Sequence, residues 1–161
     1  MNSLLVQQRL RRSISLQSYL RELSVLIGRP VRADELSSPE QAGEIRVRAK
    51  ALTEDPAAST EVPFSDRTTE RFRSFIQRLQ AANPSSIQVW TPKTIDCGVL
   101  EVPSLTAIRF DFDFSINDDG ILSFVTSGLT DRLLLDFSAS LSGHQRMTIE
   151  VQGQSWSRVT Y

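Results

Sequence analysis

The residue types in this chain that could do chemistry fall mostly between positions 96 and 157. Asp111 and Asp113 lie two residues apart in Ile108-Arg109-Phe110-Asp111-Phe112-Asp113-Phe114-Ser115-Ile116. That spacing puts both carboxylates on one side of a strand, and Asp136 is placed to join them from another. Two carboxylates can divide the work of general acid and general base when burial separates their pKa values. Arg109 shares their side, however, and alternating charge on an exposed strand face meets water, so the expectation is a solvated face rather than a catalytic pair.

Asn117-Asp118-Asp119-Gly120 raises calcium. With Gly120 at the sixth place of an EF-hand loop, the ligands fall on Ser115, Asn117 and Asp119, and the twelfth place is Thr126 where a bidentate Glu is needed. A turn that favours Asx residues explains the run better. Cys97 and His144 are single members of their types. A thiolate and an imidazole within hydrogen-bond reach make a nucleophile, but both sit in loop-like contexts, Asp96-Cys97-Gly98 and Gly143-His144-Gln145, with nothing to bring them together. One Cys and one His do not make a zinc site. Gly153-Gln154-Ser155-Trp156-Ser157 lacks the closing Gly and the following helix of a nucleophile elbow. No cofactor is expected.

The elements that must position these residues start with a helix. Leu10, Ile14, Leu16, Tyr19, Leu20, Leu23, Leu26 and Ile27 recur at three- and four-residue steps until Gly28 and Pro30. A break near Ser13 to Ser15 stays open. Residues 29–43 read as a loop with at most a short helix around Asp34 to Leu36. Residues 44–51 alternate with period two, which predicts a short edge strand carrying Arg46, Arg48 and Lys50 on its wet side. A linker from Thr53 to Pro63 leads to a second helix, capped by Ser65 or Asp66, whose stripe is Phe72, Phe75, Ile76 and Leu79. Strands are expected at about 87–91, 99–102, 106–116, 121–126, 132–139, 146–152 and 155–160, separated by Pro and Gly. The strongest local signal is a hairpin of 106–116 with 121–126, closed by Asp118-Asp119-Gly120 with Gly120 at positive φ. It sets Phe114 against Phe124 and Ile116 against Leu122. Gly153-Gln154 suits a second hairpin with Val151 opposite Trp156.

The 161 residues suffice for a single domain, 1–161. The fold class expected is α+β: two N-terminal helices packed on one face of a twisted antiparallel meander formed mainly by residues 87–160. No apolar run approaches a membrane span, the basic residues of the N-terminus follow its apolar patch in the wrong order for a signal peptide, and the lone Cys97 suits a reducing compartment. A cytoplasmic protein without membrane contact is the expectation. Charge is split: residues 1–81 carry 13 Lys and Arg against 10 Asp and Glu, and residues 82–161 carry 5 against 9. An acidic, strand-rich half disfavours nucleic acid and favours a basic partner.

The acidic turn Ser115-Ile116-Asn117-Asp118-Asp119-Gly120-Ile121-Leu122-Ser123-Phe124, with Leu133-Leu134-Leu135-Asp136-Phe137, is similar in style to bacterial immunity proteins that neutralise basic nuclease toxins. The segment covers less than a quarter of the chain. The resemblance implies a small protein-binding module that works by surface complementarity and is not an enzyme. Its expected partner-binding residues are Asp111, Asp113, Asp118, Asp119, Asp131 and Asp136, with Trp156 and Tyr161 as aromatic anchors. The competing expectation is a cone-shaped small-molecule binder or enzyme, with a pocket between sheet and helices and Arg109, Asp136 and His144 at its mouth.

Overall fold

The computed structural model describes residues 3–138 and 143–161. It opens on one continuous helix, α1 (Ser3–Ile27), which runs unbroken through Ser13 to Ser15. In its second half the apolar stripe is fully used: Tyr19, Leu23 and Leu26 have no exposed surface. The Tyr19 hydroxyl donates to the Gly98 carbonyl at 2.8 Å and shares a hydrogen bond with Thr94. The first turns differ. Leu10 and Ile14, expected in the same stripe, are 60% and 74% exposed, because the segment that α1 packs on meets it around Tyr19.

Residues 44–51 form no strand. They belong to α2 (Pro39–Arg48) and α3 (Lys50–Glu54). The helix is set from its start: Ser38 Oγ accepts from the Gln41 N–H while Gln41 Oε1 accepts from the Ser38 N–H, and Pro39 takes the first helical position. This reciprocal capping outweighs the two-residue alternation downstream. Arg46 and Arg48 then fall in the last turn, where the helix dipole favours cations. The expected linker, in turn, contains the strand β1 (Ala58–Pro63), whose only buried side chain is Val62.

A 3₁₀ turn over Phe64–Thr68 precedes α4 (Glu70–Ala82), which is capped by Thr69 rather than by Ser65 or Asp66. Thr69 Oγ1 accepts from the Phe72 N–H. Phe72, Phe75, Ile76 and Leu79 are buried as the spacing predicts. Then come β2 (Ile87–Trp90), the short α5 (Thr94–Cys97) against which α1 packs, and β3 (Leu100–Val102). The sheet is completed by β4 (Ile121–Thr126), β5 (Asp131–Asp136) and β6 (Arg146–Gly153). The six strands run in the order β1-β6-β5-β4-β2-β3, antiparallel throughout. The architecture is α+β, with N-terminal helices against a twisted, open antiparallel sheet.

Besides 44–51, two further expected strands are absent. The segment 106–116 joins no ladder, because both sides of β4 are occupied: Phe124 pairs with Val89 on one side and Leu133 on the other. The hairpin register of Phe114 against Phe124 is therefore not formed. The alternation survives without the ladder. Phe110, Phe112 and Phe114 turn inward beneath the sheet, with ring centroids 5.5 Å from Phe124 for Phe110 and 5.6 and 5.8 Å from Phe137 for Phe112 and Phe114. Gly120 does adopt positive φ, at 64°. Residues 155–160 contain a 3₁₀ turn, Trp156–Arg158, instead of a strand, and Val151 pairs with Ala58 and Leu133. The expected strand end at Ala139 lies outside the described residues.

The inner face of the sheet, with Val89, Leu122, Phe124, Leu133, Leu135 and Ile149, closes the core with α1 and α4. Side chains one residue away point to the other face. There Gln152 Nε2 donates to the carbonyls of Thr53 and Asp55, which fastens α3 to that side.

Candidate functional site: an acidic loop over a buried glutamate

The loop of residues 108–120 is held at three points. The Arg109 N–H donates to the Leu26 carbonyl at the end of α1, at 2.7 Å. Arg67 Nε donates to the Phe112 carbonyl at 2.7 Å, and its guanidinium stacks 3.9 Å from the Phe64 ring centroid. Asn117 closes the far end: its Oδ1 accepts from the Gly120 N–H and its Nδ2 donates to the Ile121 carbonyl. The segment that the calcium reading singled out is thus a turn stitched by Asn117. Among the described residues no group of three His, Cys, Asp or Glu could hold a metal ion.

With its aromatic side chains inward, the loop turns Asp111, Asp113, Asp118 and Asp119 outward, and all four are exposed. None of them has a cation within ion-pair distance among the described residues. Arg67 feels Asp113 and Asp111 from a distance, yet burial still holds its pKa below the usual arginine value.

Behind the loop lies Glu22. It sits three residues after Tyr19 on the inward face of α1 and is 5% exposed. One oxygen, Oε1, pairs with Lys93 Nζ. The other, Oε2, is buried and accepts no hydrogen bond. Burial pushes this carboxyl above the usual glutamate range, Lys93 pulls it back, and Asp118 and Asp119 push it up again. A cleft of about 410 Å³ runs between α1 and the loop, lined by Arg21, Glu22, Lys93, Asp113, Asn117 and Asp118. Three carboxylates face two cations there, and Lys93 is already committed to Glu22.

The other expected site residues are dispersed. Asp131 has no exposed surface and its carboxylate serves the fold: Oδ1 accepts from the N–H groups of Ser155 and Trp156, and Oδ2 from Asn83 and Thr130. Trp156 is likewise fully buried, so neither can touch a partner. Asp136 caps the end of β5, accepting from the N–H and hydroxyl of Ser138. Tyr161 is half-buried, donates to Asp66, and lies edge-on to Phe75 with Arg71 over its ring. Asp111 lines a different cleft with Arg67, Arg73 and Arg109. The structure therefore gathers Asp113, Asp118 and, through its field, Asp119 around Glu22.

Cys97 is buried, and burial, with Asp96 nearby, pushes its thiol above the ordinary cysteine value. That is the opposite of an activated nucleophile. His144 is exposed. Arg109 lies across Gly28, where a Cβ would come within 2.3 Å of its Nε. No helix among the described residues is long and apolar enough to cross a membrane. No known family model, curated protein or solved structure matches this chain.

Proposed function

We propose that this chain is a small protein-binding module that engages a partner through the acidic loop of residues 111–119, the partner presenting a basic surface. The observation that carries the reading is the set of four exposed carboxylates on that loop, Asp111, Asp113, Asp118 and Asp119, all without an ion pair among the described residues. A fixed cluster of one sign steers an oppositely charged partner and sets its register. Glu22 adds a third carboxylate to the field of the cleft that Asp113 and Asp118 line, and a partner's Arg or Lys entering that cleft would meet the exposed carboxylates of the loop. In its finer form the reading is a bacterial, cytoplasmic immunity protein that neutralises a basic toxin.

The test is co-purification from the host on immobilised wild-type protein and on the variant with Asp111, Asp113, Asp118 and Asp119 all changed to Asn. A basic protein held by the wild type at low salt, released by salt and lost from the variant, is expected. A partner held equally by both, or one that is acidic, contradicts the assignment.

A further inference from the structure

On the face of the sheet opposite the acidic loop lies a groove of about 810 Å³, about twice the volume of the cleft beside Glu22. It runs between α2–α3 and the outward side chains of β2, β4 and β5. Its volume lies within the roughly 300–1,000 Å³ of small-molecule sites. The apolar part is Val47, Leu52, Trp90, Ile95 and Val125, and the charged part is Arg46, Lys50 and Arg132, with no carboxylate in the lining.

Arg132 is the distinctive member. Its Nε donates to Ser123 Oγ at 3.1 Å and its Nη1 to Gln152 Oε1 at 2.8 Å. Gln152 is itself tied to the carbonyls of Thr53 and Asp55. The guanidinium is fixed in a half-buried position by neutral partners on both sides, and among the described residues it has no ion pair and no hydrogen bond at Nη2. Burial holds its pKa below the usual arginine value although Glu150 acts on it from a distance, and a partly desolvated cation with no anion in contact is costly unless a ligand supplies one. Arg46, in the last turn of α2, and Lys50, at the start of α3, flank the junction at Ala49 and both line the groove. Lys50 has only a long contact of 3.9 Å to Glu54, and Arg46 has no ion pair among the described residues. Three cations thus converge on an apolar trough whose exposed members include Val47, 75% exposed.

We propose that this groove binds a small amphipathic carboxylate, its head held by Arg132 with Arg46 and Lys50, its apolar body lying on Trp90, Val125 and Val47. A planar guanidinium held in place is the natural receptor for a carboxylate, and indole and aliphatic surfaces suit an alkyl or aryl body. The site is independent of the acidic loop and shares no residue with it.

Decanoate, below its micelle concentration, is the probe, with decanamide as its neutral counterpart. Of the two Trp residues, Trp156 is fully buried and Trp90 lines the groove, so fluorescence reports the site. Saturable binding of decanoate is expected, at least tenfold weaker for decanamide and at least tenfold weaker in Arg132→Gln. Arg46→Ala with Lys50→Ala alters exposed helical side chains only, and is expected to weaken binding severalfold with the circular dichroism unchanged. If Arg132→Gln does not fold, this double variant decides. No saturable response to decanoate, equal affinity for decanamide, undiminished binding by the double variant, or response only to an acidic peptide overturns the proposal.

Discussion

Replacing Asp131 by Ala removes four acceptor contacts at one fully buried carboxylate. Its Oδ1 lies 2.7 Å from the backbone nitrogens of both Ser155 and Trp156, and its Oδ2 lies 2.7 Å from Asn83 Nδ2 and 3.1 Å from Thr130 Oγ1. These bonds pin the chain after β6 and the residue that ends α4 onto the start of β5. Thr130 keeps a second neighbour in Thr126, and Asn83 Nδ2 keeps Thr130 Oγ1 as an acceptor, so the two backbone donors of Ser155 and Trp156 are stranded. A buried donor left without a partner costs about 1–3 kcal/mol, which puts Asp131→Ala at about 2–6 kcal/mol. That is a large share of the roughly 5–15 kcal/mol by which domains are stable. Asp131→Asn keeps one oxygen for the two backbone N–H groups and turns an amide toward Asn83, so it is expected to lose about 1–3 kcal/mol. Adding Asn83→Asp to that variant restores a donor–acceptor pair and is expected to recover part of the loss. Urea unfolding followed by tryptophan fluorescence and circular dichroism measures all three. A loss below about 1 kcal/mol for Asp131→Ala, or equal losses for Ala and Asn, would refute the assignment of Asp131 as a structural hub.

Two further predictions concern the acidic loop and its support. The Glu22 carboxyl is raised in the folded protein, so the folded state holds that proton more tightly than the unfolded chain does. Its stabilising contribution is full below the ordinary glutamate value and is lost as pH rises through the raised one. Wild-type unfolding free energy is therefore expected to decline across that window, and Glu22→Gln to flatten the decline; parallel urea-derived curves for the two proteins would contradict it. At Gly120, with φ of 64°, a Cβ would lie 2.7 Å from Ser138 Cα, so Gly120→Ala is expected to destabilise by about 1–3 kcal/mol. Gly43, inside α2 with nothing within 4 Å of an added Cβ, is the control: Gly43→Ala is expected to stabilise by about 0.4–1 kcal/mol, read as a rise in thermal midpoint.

The two stripes were legible because their periodicity coincides with burial: Tyr19, Leu23 and Leu26 on α1, and Phe72, Phe75, Ile76 and Leu79 on α4. The α2 helix was legible too, but in its cap. Ser38-Pro39-Glu40-Gln41 carries the helix start, whereas the alternation of Glu44 to Ala51 pointed to a strand. Nothing local marked β1, where five of six side chains are exposed; a strand at a sheet edge is made by its neighbour, here β6, more than by its own pattern. The phenylalanine run shows the complementary failure. Alternation reports which side chains are buried, and Phe110, Phe112 and Phe114 do turn inward, but it cannot report whether the backbone finds a partner strand. Among site residues, Glu22 was the missed one. A carboxylate three residues from Tyr19 and four from Leu26 interrupts an apolar face, and that interruption was its signal. Asp131 and Trp156 were drawn outward by residue type alone, while three of the four Asp131 contacts span 24 to 48 residues of sequence and leave no local trace.

Under the proposed function, the loop and cleft around Glu22 receive a cationic side chain of the partner. Titration of isotope-labelled protein with N-acetyl-arginine amide, followed by backbone amide chemical shifts, tests it without knowledge of the partner. Saturable shifts confined to residues 18–22, 93 and 113–119, suppressed by salt and by Asp113→Asn with Asp118→Asn, are the predicted result. Absence of saturable shifts there, or the same shifts with the neutral N-acetyl-citrulline amide, would contradict it.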